Sequence, residues 1–213
     1  MTLRLLILGA TSGIGRSATH EALSRGHRVR AFGRSADALE AKPHLEPFVG
    51  DALIAEDVSQ ALDGVDVVIY ALGIKESLAT LSQEVTLFSQ STEILLNQMQ
   101  KLGPKRLIAV TGFGAGRSQT AMSRVERLGH RALLGRPYSD KDLQEDLIMQ
   151  SDLDWTIVRP TILTNTARTG KYRVLREQSD WRNGLISRAD VAHYLVDIAA
   201  ATDDIRADVV LAR

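Results

Sequence analysis

The fold is decided by a glycine-rich stretch near the start of the chain, Gly9-Ala10-Thr11-Ser12-Gly13-Ile14-Gly15. An apolar run over residues 3–8 leads into it and predicts a strand, and a helix-like run over residues 16–25 follows it. Glycines at these places allow a sharp turn and leave a pyrophosphate room against bare backbone. The helix N-terminus then favours phosphate through its free N–H groups and partial positive charge. The order of strand, turn and helix predicts a dinucleotide site, with an ordinary turn as the alternative.

The residues after the second predicted strand bear on which dinucleotide would bind. Residues 27–33 read as that strand, and Arg34 and Ser35 follow it. An acidic residue at this point would accept hydrogen bonds from the adenosine ribose. A guanidinium instead attracts a 2′-phosphate, and the Ser35 hydroxyl adds a donor. The sequence therefore predicts NADP(H) in preference to NAD(H), unless Arg34 is an ordinary solvated side chain.

The composition limits the classes of partner. The 213 residues suffice for one α/β domain, and 26 basic against 26 acidic side chains leave no net charge to favour nucleic acid. The chain has no cysteine, and its histidines lack metal-ligand spacing, so we expect no metal. Neither a signal-peptide pattern nor a span of ~18 apolar residues is present. We therefore expect a cytoplasmic protein with a small-molecule substrate and no membrane or nucleic-acid partner; the oligomeric state cannot be read.

Short apolar runs alternate with longer amphipathic stretches along the chain, which is typical of a parallel sheet covered by helices. Further strands are predicted at residues 46–51, 66–73, 105–111, 155–160, 171–175 and 209–211, the last as an edge strand. Helices are predicted at residues 54–62, 77–102, 141–151 and 187–200, with an irregular lid that contains a short helix at 113–137; Ser187 and Asp190 form a capping-box-like start of the last helix. The fold class is α/β, a doubly wound parallel sheet of the Rossmann type. We expect a single domain over residues 1–213, in which residues 161–213 complete the substrate cleft.

Four segments match the pattern of one family in the same order. They are Gly9-Ala10-Thr11 with Gly15, Val49-Gly50-Asp51, Leu153-Asp154-Trp155-Thr156-Ile157-Val158-Arg159-Pro160, and Ile186-Ser187-Arg188-Ala189-Asp190-Val191-Ala192. On these residues the chain resembles the atypical short-chain dehydrogenases/reductases that bind NAD(P)H. That group includes NmrA-like proteins and flavin (biliverdin-IXβ) reductase-like proteins. Ser12 departs from the family's middle glycine, although Gly13 beside it restores a spacing of other short-chain dehydrogenases.

The ends of the predicted strands supply the candidate cofactor-binding residues. Open α/β sheets bind ligands outside the carboxyl ends of their strands, where the strand order reverses. From that rule and the resemblance, we expect Gly9, Thr11, Ser12, Gly13, Ile14 and Gly15 at the pyrophosphate, Arg34 and Ser35 at the adenosine ribose, Asp51 and Ala52 at the adenine, Ala71, Leu72 and Gly73 at the inner ribose, Thr111 and Lys141 at the nicotinamide ribose, and Pro160, Thr161 and Ile162 at the nicotinamide. Asp51 is equally interpretable as a turn or helix-cap carboxylate.

The catalytic set of the superfamily is only partly present. Its well-known members use Tyr-x-x-x-Lys and a Ser or Thr, in which the tyrosine transfers a proton and the lysine assists it. Lys141 and Glu145 match a Lys-x-x-x-Glu pattern of the family, but the residue four before Lys141 is Pro137, followed by Tyr138. We expect Pro137 to start that helix, and Gly112 replaces the Ser-type residue after the fifth strand. The candidate catalytic residues are Thr111, Tyr138 and Lys141.

Two interpretations of this set remain open. Either Tyr138 and Lys141 carry proton chemistry, or no dedicated acid exists and the acceptor takes a proton from water after hydride transfer. Tyr138 and Lys141 would in the second case belong to an exposed helix start. We expect an NADPH-dependent oxidoreductase acting on a flavin, quinone or similar planar acceptor. The alternatives are an epimerase/dehydratase-like enzyme, which needs a working acid–base pair, and a non-catalytic NmrA-like redox sensor.

Overall fold

The computed structural model describes residues 1–74 and 85–213. Its strands are β1 (Arg4–Leu8), β2 (Arg28–Gly33), β3 (Leu45–Val49), β4 (Val67–Tyr70), β5 (Arg106–Val110), β6 (Asp154–Pro160), β7 (Ile162–Thr164), β8 (Arg173–Leu175), β9 (Leu185–Ser187) and β10 (Ala207–Ala212). Its helices are α1 (Gly13–Ser24), α2 (Ala55–Leu62), α3 (Leu87–Leu102), α4 (Arg124–Met149) and α5 (Arg188–Ala199). Within these described ranges, no helix combines the length and the apolar character needed to cross a membrane.

The main sheet has the strand order β3-β2-β1-β4-β5-β6-β10-β8. Its neighbouring strands run parallel, except that β8 is antiparallel to β10. β7 and β9 form a separate parallel pair. The chain starts in the middle at β1 and builds the sheet outward on both sides, so the strand order reverses between β1 and β4. The predicted doubly wound α/β fold of the Rossmann type is confirmed, and this reversal leaves a crevice at the carboxyl ends of β1 and β4.

β1 shows why helices cover both faces of the sheet. Its side chains alternate, so that Leu5 and Ile7 belong to one buried core while Leu6 and Leu8 belong to another. The first core includes α1 and α5, and the second includes α2, α3 and the end of α4. A strand that is apolar on both faces is typical of a buried parallel sheet. Each buried leucine or isoleucine contributes about 1.5–3 kcal/mol.

The prediction that the last strand lies at an edge of the sheet is wrong. β10 runs between β6 and β8, with Val209 opposite Val158 and Val210 opposite Leu175. The outer strand β8 has three residues, too few for a clear alternation of apolar and polar side chains. Residues on β10 are consequently buried on both sides of the sheet, which matters for Asp208 below.

The prediction of an irregular lid with only a short helix up to Pro137 is also wrong, because α4 begins at Arg124 and continues through Pro137 to Met149. A proline within a helix removes a backbone hydrogen bond and costs about 3 kcal/mol. The turns that follow Pro137 are well packed, since Asp140, Gln144 and Ile148 are all buried. These contacts offset the cost and allow one long helix where local sequence rules favour a helix start.

α3 begins at the carboxyl edge of the sheet and is tied to α4 there. The Asp140 carboxylate accepts the backbone N–H of Phe88 at 2.7 Å and of Ser89 at 3.3 Å, which places a negative charge at the N-terminus of α3. The helix ends at Leu102 as predicted, with Gly103 left-handed at a φ of 108°. Its predicted start at residue 77 lies outside the described residues.

Candidate active site

The glycine-rich turn lies in the crevice between β1 and β4. Gly9 has a φ of 83°, and a Cβ on it would lie 2.6 Å from the carbonyl oxygen of Ala71. A Cβ on Gly15 would overlap the carbonyl of Gly9. Since side-chain carbons do not approach backbone this closely, glycine is required at both positions. The structure thus packs Gly9 against Gly15 and against the backbone of Ala71 and Leu72, which follow β4.

α1 begins at Gly13, three residues earlier than predicted, so its first turn contains Gly13, Ile14 and Gly15. Ser12 is the N-cap residue, but its hydroxyl does not cap the helix. Gly13 is exposed and has open space where a Cβ would stand. A phosphate could therefore accept hydrogen bonds from the first-turn N–H groups.

The end of β2 shares this edge with the turn. The Gly9 N–H donates to the Phe32 carbonyl at 3.0 Å, and a Cβ on Gly33 would lie 3.4 Å from the Thr11 side chain. Arg34 and Ser35 follow, and both are exposed. Their approach to the adenosine ribose stays a prediction, from a position next to the turn.

Asp51 forms a turn after β3. Its Oδ1 accepts the Leu53 N–H at 3.0 Å, and its own N–H donates to Asp57 Oδ2 at 2.8 Å. Ala52 beside it is buried. The turn role that the sequence left open for Asp51 is therefore present, and its contact with adenine stays a prediction.

The candidate catalytic residues meet at the carboxyl end of β5. The Lys141 ammonium donates to the Thr111 carbonyl oxygen at 2.6 Å and lies 5.5 Å from the centre of the Tyr138 ring. A Cβ on Gly112 would lie 2.7 Å from the Tyr138 hydroxyl oxygen. The hydroxyl therefore fits against the backbone because Gly112 has no side chain. In spite of Pro137, Tyr138 and Lys141 share one face of α4.

The Thr111 hydroxyl is engaged inside the protein. It donates to Glu145 Oε1 at 2.6 Å, and both residues are buried. Tyr138 is half-buried by contrast. The proton of Thr111 is thus directed towards α4, while the hydroxyl of Tyr138 lies at the end of the strand.

A row of charges, which we call the charge chain, continues behind Thr111, and all its members except Arg117 are buried. Arg159 of β6 donates to both oxygens of Glu145, at 3.0 and 2.6 Å, and to Asp208 of β10 at 2.6 Å. Arg117 pairs with Asp208 from the other side. Burial disfavours the Arg159 cation, but the hydrogen bonds and charges of Glu145 and Asp208 outweigh it and raise the pKa of Arg159. The charge chain consists of Glu145, Arg159, Asp208 and Arg117.

Backbone and aromatic groups enclose the charge chain. Gly116 has a φ of 50°, and a Cβ on it would overlap the Glu145 carboxylate. The buried ring of Trp181 lies 4.9 Å from the guanidinium carbon of Arg159. Within the described residues, no group of three or more His, Cys, Asp or Glu side chains is placed to hold a metal ion. Sequence reasoning missed the charge chain, although Arg159 gave a signal as a charge inside a predicted apolar strand.

The end of β6 lies beside the end of β5. The Thr161 N–H and hydroxyl both donate to the Leu211 carbonyl oxygen, at 3.0 and 3.1 Å, which fixes the chain after Pro160. Ile162 opens β7 opposite Leu185 of β9, and these side chains are 57% and 55% exposed. Ile162, the last of the residues predicted at the nicotinamide, therefore forms an exposed apolar pair with Leu185. Leu185 was not among the predicted site residues.

The start of α5 holds the segment that follows β7. Ser187 accepts the Asp190 N–H at 2.9 Å, as the predicted capping pair requires, and donates to Asp190 Oδ2 at 2.8 Å. Asp190 Oδ1 accepts the N–H groups of Thr169 and Gly170 at 2.9 and 2.8 Å. Burial opposes the charge, but these hydrogen bonds outweigh it and lower the pKa of Asp190. An ionised Asp190 thus anchors part of the region that we expect to complete the substrate cleft.

The chain belongs to the NAD(P)H-binding family, whose model matches residues 9–202. Its structure is similar to that of ChuY, an anaerobillin reductase from Escherichia coli O157:H7, with 26% identity and a TM-score of 0.82 over 98% of this chain and 96% of that one. It also shares its fold with a short-chain dehydrogenase/reductase from Veillonella parvula DSM 2008 in complex with NADP. There the identity is 18% and the TM-score 0.83, over 100% of this chain and 95% of that one. The protein thus has the fold of an NAD(P)H-binding oxidoreductase.

Curated relatives match a shorter stretch. A 3-beta-hydroxysteroid dehydrogenase from Mycolicibacterium neoaurum is 31% identical over 112 residues, which are 49% of this chain and 31% of that enzyme. A 3 beta-hydroxysteroid dehydrogenase/Delta 5-->4-isomerase from Mycobacterium tuberculosis is 32% identical over 49% of this chain and 30% of that enzyme. The match therefore spans less than a third of the length of these relatives, and it supports the oxidoreductase class in general terms.

Proposed function

We propose that the protein is an NADPH-dependent reductase of a planar acceptor such as a flavin or a quinone. The observation that carries this proposal is the bare-backbone turn, in which Gly9 and Gly15 leave no room for side chains at the crevice between β1 and β4. Arg34 and Ser35, exposed beside the turn, support a preference for NADP(H) over NAD(H).

The carboxyl end of β6 supports a flat apolar acceptor. Ile162, the last of the residues proposed for the nicotinamide, and Leu185 on the neighbouring strand β9 offer adjacent exposed apolar side chains. The similarity to ChuY over nearly the whole of both chains adds anaerobillin to the acceptors that should be tested.

Tyr138 is the proposed source of the proton. NADPH, when bound, supplies the hydride. The Tyr138 hydroxyl, held against Gly112, would give its proton to the acceptor, and solvent would replace that proton. The Lys141 ammonium, 5.5 Å from the ring centre, would stabilise the negative charge left on Tyr138. In this proposal Thr111 acts through its carbonyl, which holds Lys141 in place.

The test is a titration with NADPH, NADP⁺ and NADH, followed by absorbance at the nicotinamide band with FMN, a small quinone or anaerobillin added. We expect tight NADPH binding and acceptor-dependent oxidation, and Tyr138→Phe should lower kcat about 100-fold without changing NADPH affinity. Tyr172→Phe is the matched control, because that hydroxyl bonds His193 at 2.9 Å instead.

Each other outcome has a defined meaning. Full activity in Tyr138→Phe would favour proton uptake from water. NADPH binding without oxidation of any acceptor would favour the redox-sensor alternative, and turnover confined to a non-redox substrate would favour the epimerase/dehydratase alternative. Absence of dinucleotide binding would overturn the proposal, because the turn would then be structural.

A further inference from the structure

The Lys141 ammonium has three defined neighbours at the carboxyl end of β5. It donates to the Thr111 carbonyl oxygen at 2.6 Å, and it lies 5.0 Å from the centre of the Phe88 ring and 5.5 Å from that of the Tyr138 ring. The negative face of an aromatic ring attracts a cation. Since Tyr138 is the proposed acid, the contacts with Thr111 and Phe88 decide where the ammonium lies relative to it.

Glu145 fixes the contact with Thr111. It follows Lys141 by about one helical turn on α4, and its Oε1 accepts the Thr111 hydroxyl at 2.6 Å. α4 therefore holds Thr111 at two atoms, the hydroxyl through Glu145 and the carbonyl through Lys141. Glu145 is fully buried and accepts two further hydrogen bonds from Arg159, so its carboxylate gives the hydroxyl a fixed partner.

Asp140 fixes the contact with Phe88. Its Oδ2 accepts the Phe88 N–H at 2.7 Å, and its Oδ1 accepts the Ser89 N–H at 3.3 Å. Asp140 and Phe88 are both buried. Because Phe88 lies in the first turn of α3, the hydrogen bond to its backbone sets the position of its ring beside Lys141.

We propose that Asp140 and Glu145, which we call the carboxylate pair, are positioning residues that hold the Lys141 ammonium against Tyr138. Each acts through a neighbour, Asp140 through the ring of Phe88 and Glu145 through the end of β5. The catalytic consequence rests on the proposed function, whereas the position of the lysine in the free protein can be measured without it. The buried carboxylates of α4 thus act on its half-buried lysine from two sides.

The experiment is acetylation of the full chain without cofactor, followed at each lysine by peptide mass spectrometry. Only a free, neutral amine is acylated, so we expect Lys141 to react more slowly than the exposed Lys105. Thr111→Val removes the hydroxyl that Glu145 accepts, and Asp140→Ala removes the acceptor of the Phe88 N–H. Each variant should raise the rate at Lys141 about fivefold, as for one lost hydrogen bond, with the rate at Lys105 unchanged.

Conservative variants at the same places separate positioning from general loosening. Thr111→Ser keeps a hydroxyl and Asp140→Asn keeps an acceptor oxygen, so both should leave Lys141 protected as in the wild type. Asp146→Ala, at an exposed acid on the same helix, is the matched control. An unchanged rate at Lys141 in Thr111→Val or in Asp140→Ala would overturn the role of the carboxylate concerned. An equal rise at Lys105 would overturn the proposal as a whole.

Turnover distinguishes this proposal from the proposed function. Thr111→Val and Asp140→Ala should each lower kcat for acceptor reduction about fivefold with an unchanged KM, and they should lower it no further in a Lys141→Met background. Additive losses would contradict an action through Lys141. Expected labelling without any turnover in the wild type would overturn the proposed function and leave the carboxylate pair in place.

Discussion

The two ends of the predicted cleft differ in composition, because one consists mainly of glycine backbone and the other depends on charged side chains. The nucleotide end, formed by the glycine-rich turn and the ends of β2 and β4, is bare backbone in which a Cβ on Gly9 or Gly15 would meet another carbonyl. The end where we propose that the acceptor binds, which we call the acceptor end, is formed by the ends of β5, β6 and β10 and is supported by the charge chain. A phosphate common to many cofactors can be held by backbone N–H groups. An acid for one reaction must instead be held by side chains that fix its position.

The charge chain is the part of this comparison where a single change should cost most. Arg159→Met keeps most of the side-chain volume but leaves the Glu145 carboxylate buried without its cation and the Asp208 carboxylate with Arg117 alone. Removing one partner of a buried pair typically costs about 3–5 kcal/mol, so we expect that loss in the free energy of unfolding measured with urea.

Arg206→Met provides the control for that measurement. The Arg206–Asp152 pair has a separation of 3.9 Å and is exposed, and its loss should cost less than about 1 kcal/mol. A similar small loss for both variants would mean that the charge chain does not stabilise the acceptor end.

The nucleotide end should lose cofactor affinity when one of its glycines gains a side chain. Gly15→Ala places a Cβ against the Gly9 carbonyl and must open the turn. We expect NADPH affinity to fall about 100-fold, which corresponds to an overpacking cost of about 3 kcal/mol, in a calorimetric titration. Gly26→Ala is the control, because Gly26 has a φ of 79° with nothing within 4 Å of a Cβ. It should lose some stability and keep its affinity, whereas equal losses of affinity would remove the special role of the turn.

The same contrast explains which parts of the site could be predicted from the sequence alone. Gly9 and Gly15 are explained by contacts within the turn and with the end of β4, so a local motif between a strand and a helix was enough to predict them. Glu145 and Asp208 are 14 and 49 residues from Arg159, and Asp208 meets it only because β10 lies beside β6. Since β10 was predicted at an edge, nothing indicated that Asp208 would be buried.

Pro137 misled the prediction of the acceptor end for a related reason. Its preference for a first helical position is a local rule, and the packing of α4 against α3 overrides it. The pairing of Tyr138 with Lys141 on one helix face was therefore left open by the sequence, and the long helix brings them together. The fold class depended on periodicity and could be predicted; the geometry of the acceptor end depended on tertiary contacts and could not.

At Gly112 the acceptor end also depends on bare backbone, as it does at Gly116 beside Glu145. Gly112→Ala puts a Cβ 2.7 Å from the present position of the Tyr138 hydroxyl oxygen, so the hydroxyl must move. We expect kcat for acceptor reduction to fall about tenfold with NADPH affinity unchanged, since misplacing a reacting group costs rate. The double variant with Tyr138→Phe should lose no more than Tyr138→Phe alone. Additive losses would show that Gly112 acts independently of Tyr138.

The smallest expected effect concerns the pH dependence of stability, and it depends on the His27 side chain in the nucleotide half of the sheet. His27 is buried and accepts the Leu3 N–H through Nδ1 at 3.2 Å, which requires the neutral ring. Burial and then the charge of Arg25 lower the pKa of His27 below its usual 6.5. The unfolded chain therefore takes up the proton first, so this stabilisation is complete above pH 6.5 and declines as the pH falls below that value.

We expect wild type to lose about 1 kcal/mol more than His27→Gln between pH 7.5 and pH 5.5, the value of one buried hydrogen bond, in urea unfolding. His20→Gln is the necessary comparison, because the pKa of the exposed His20 is lowered in the same direction. Identical pH profiles for wild type and His27→Gln would place the acid sensitivity elsewhere. A difference confined to His27 would show that the bare-backbone end, too, relies on a side chain, at the start of its strands and away from the crevice.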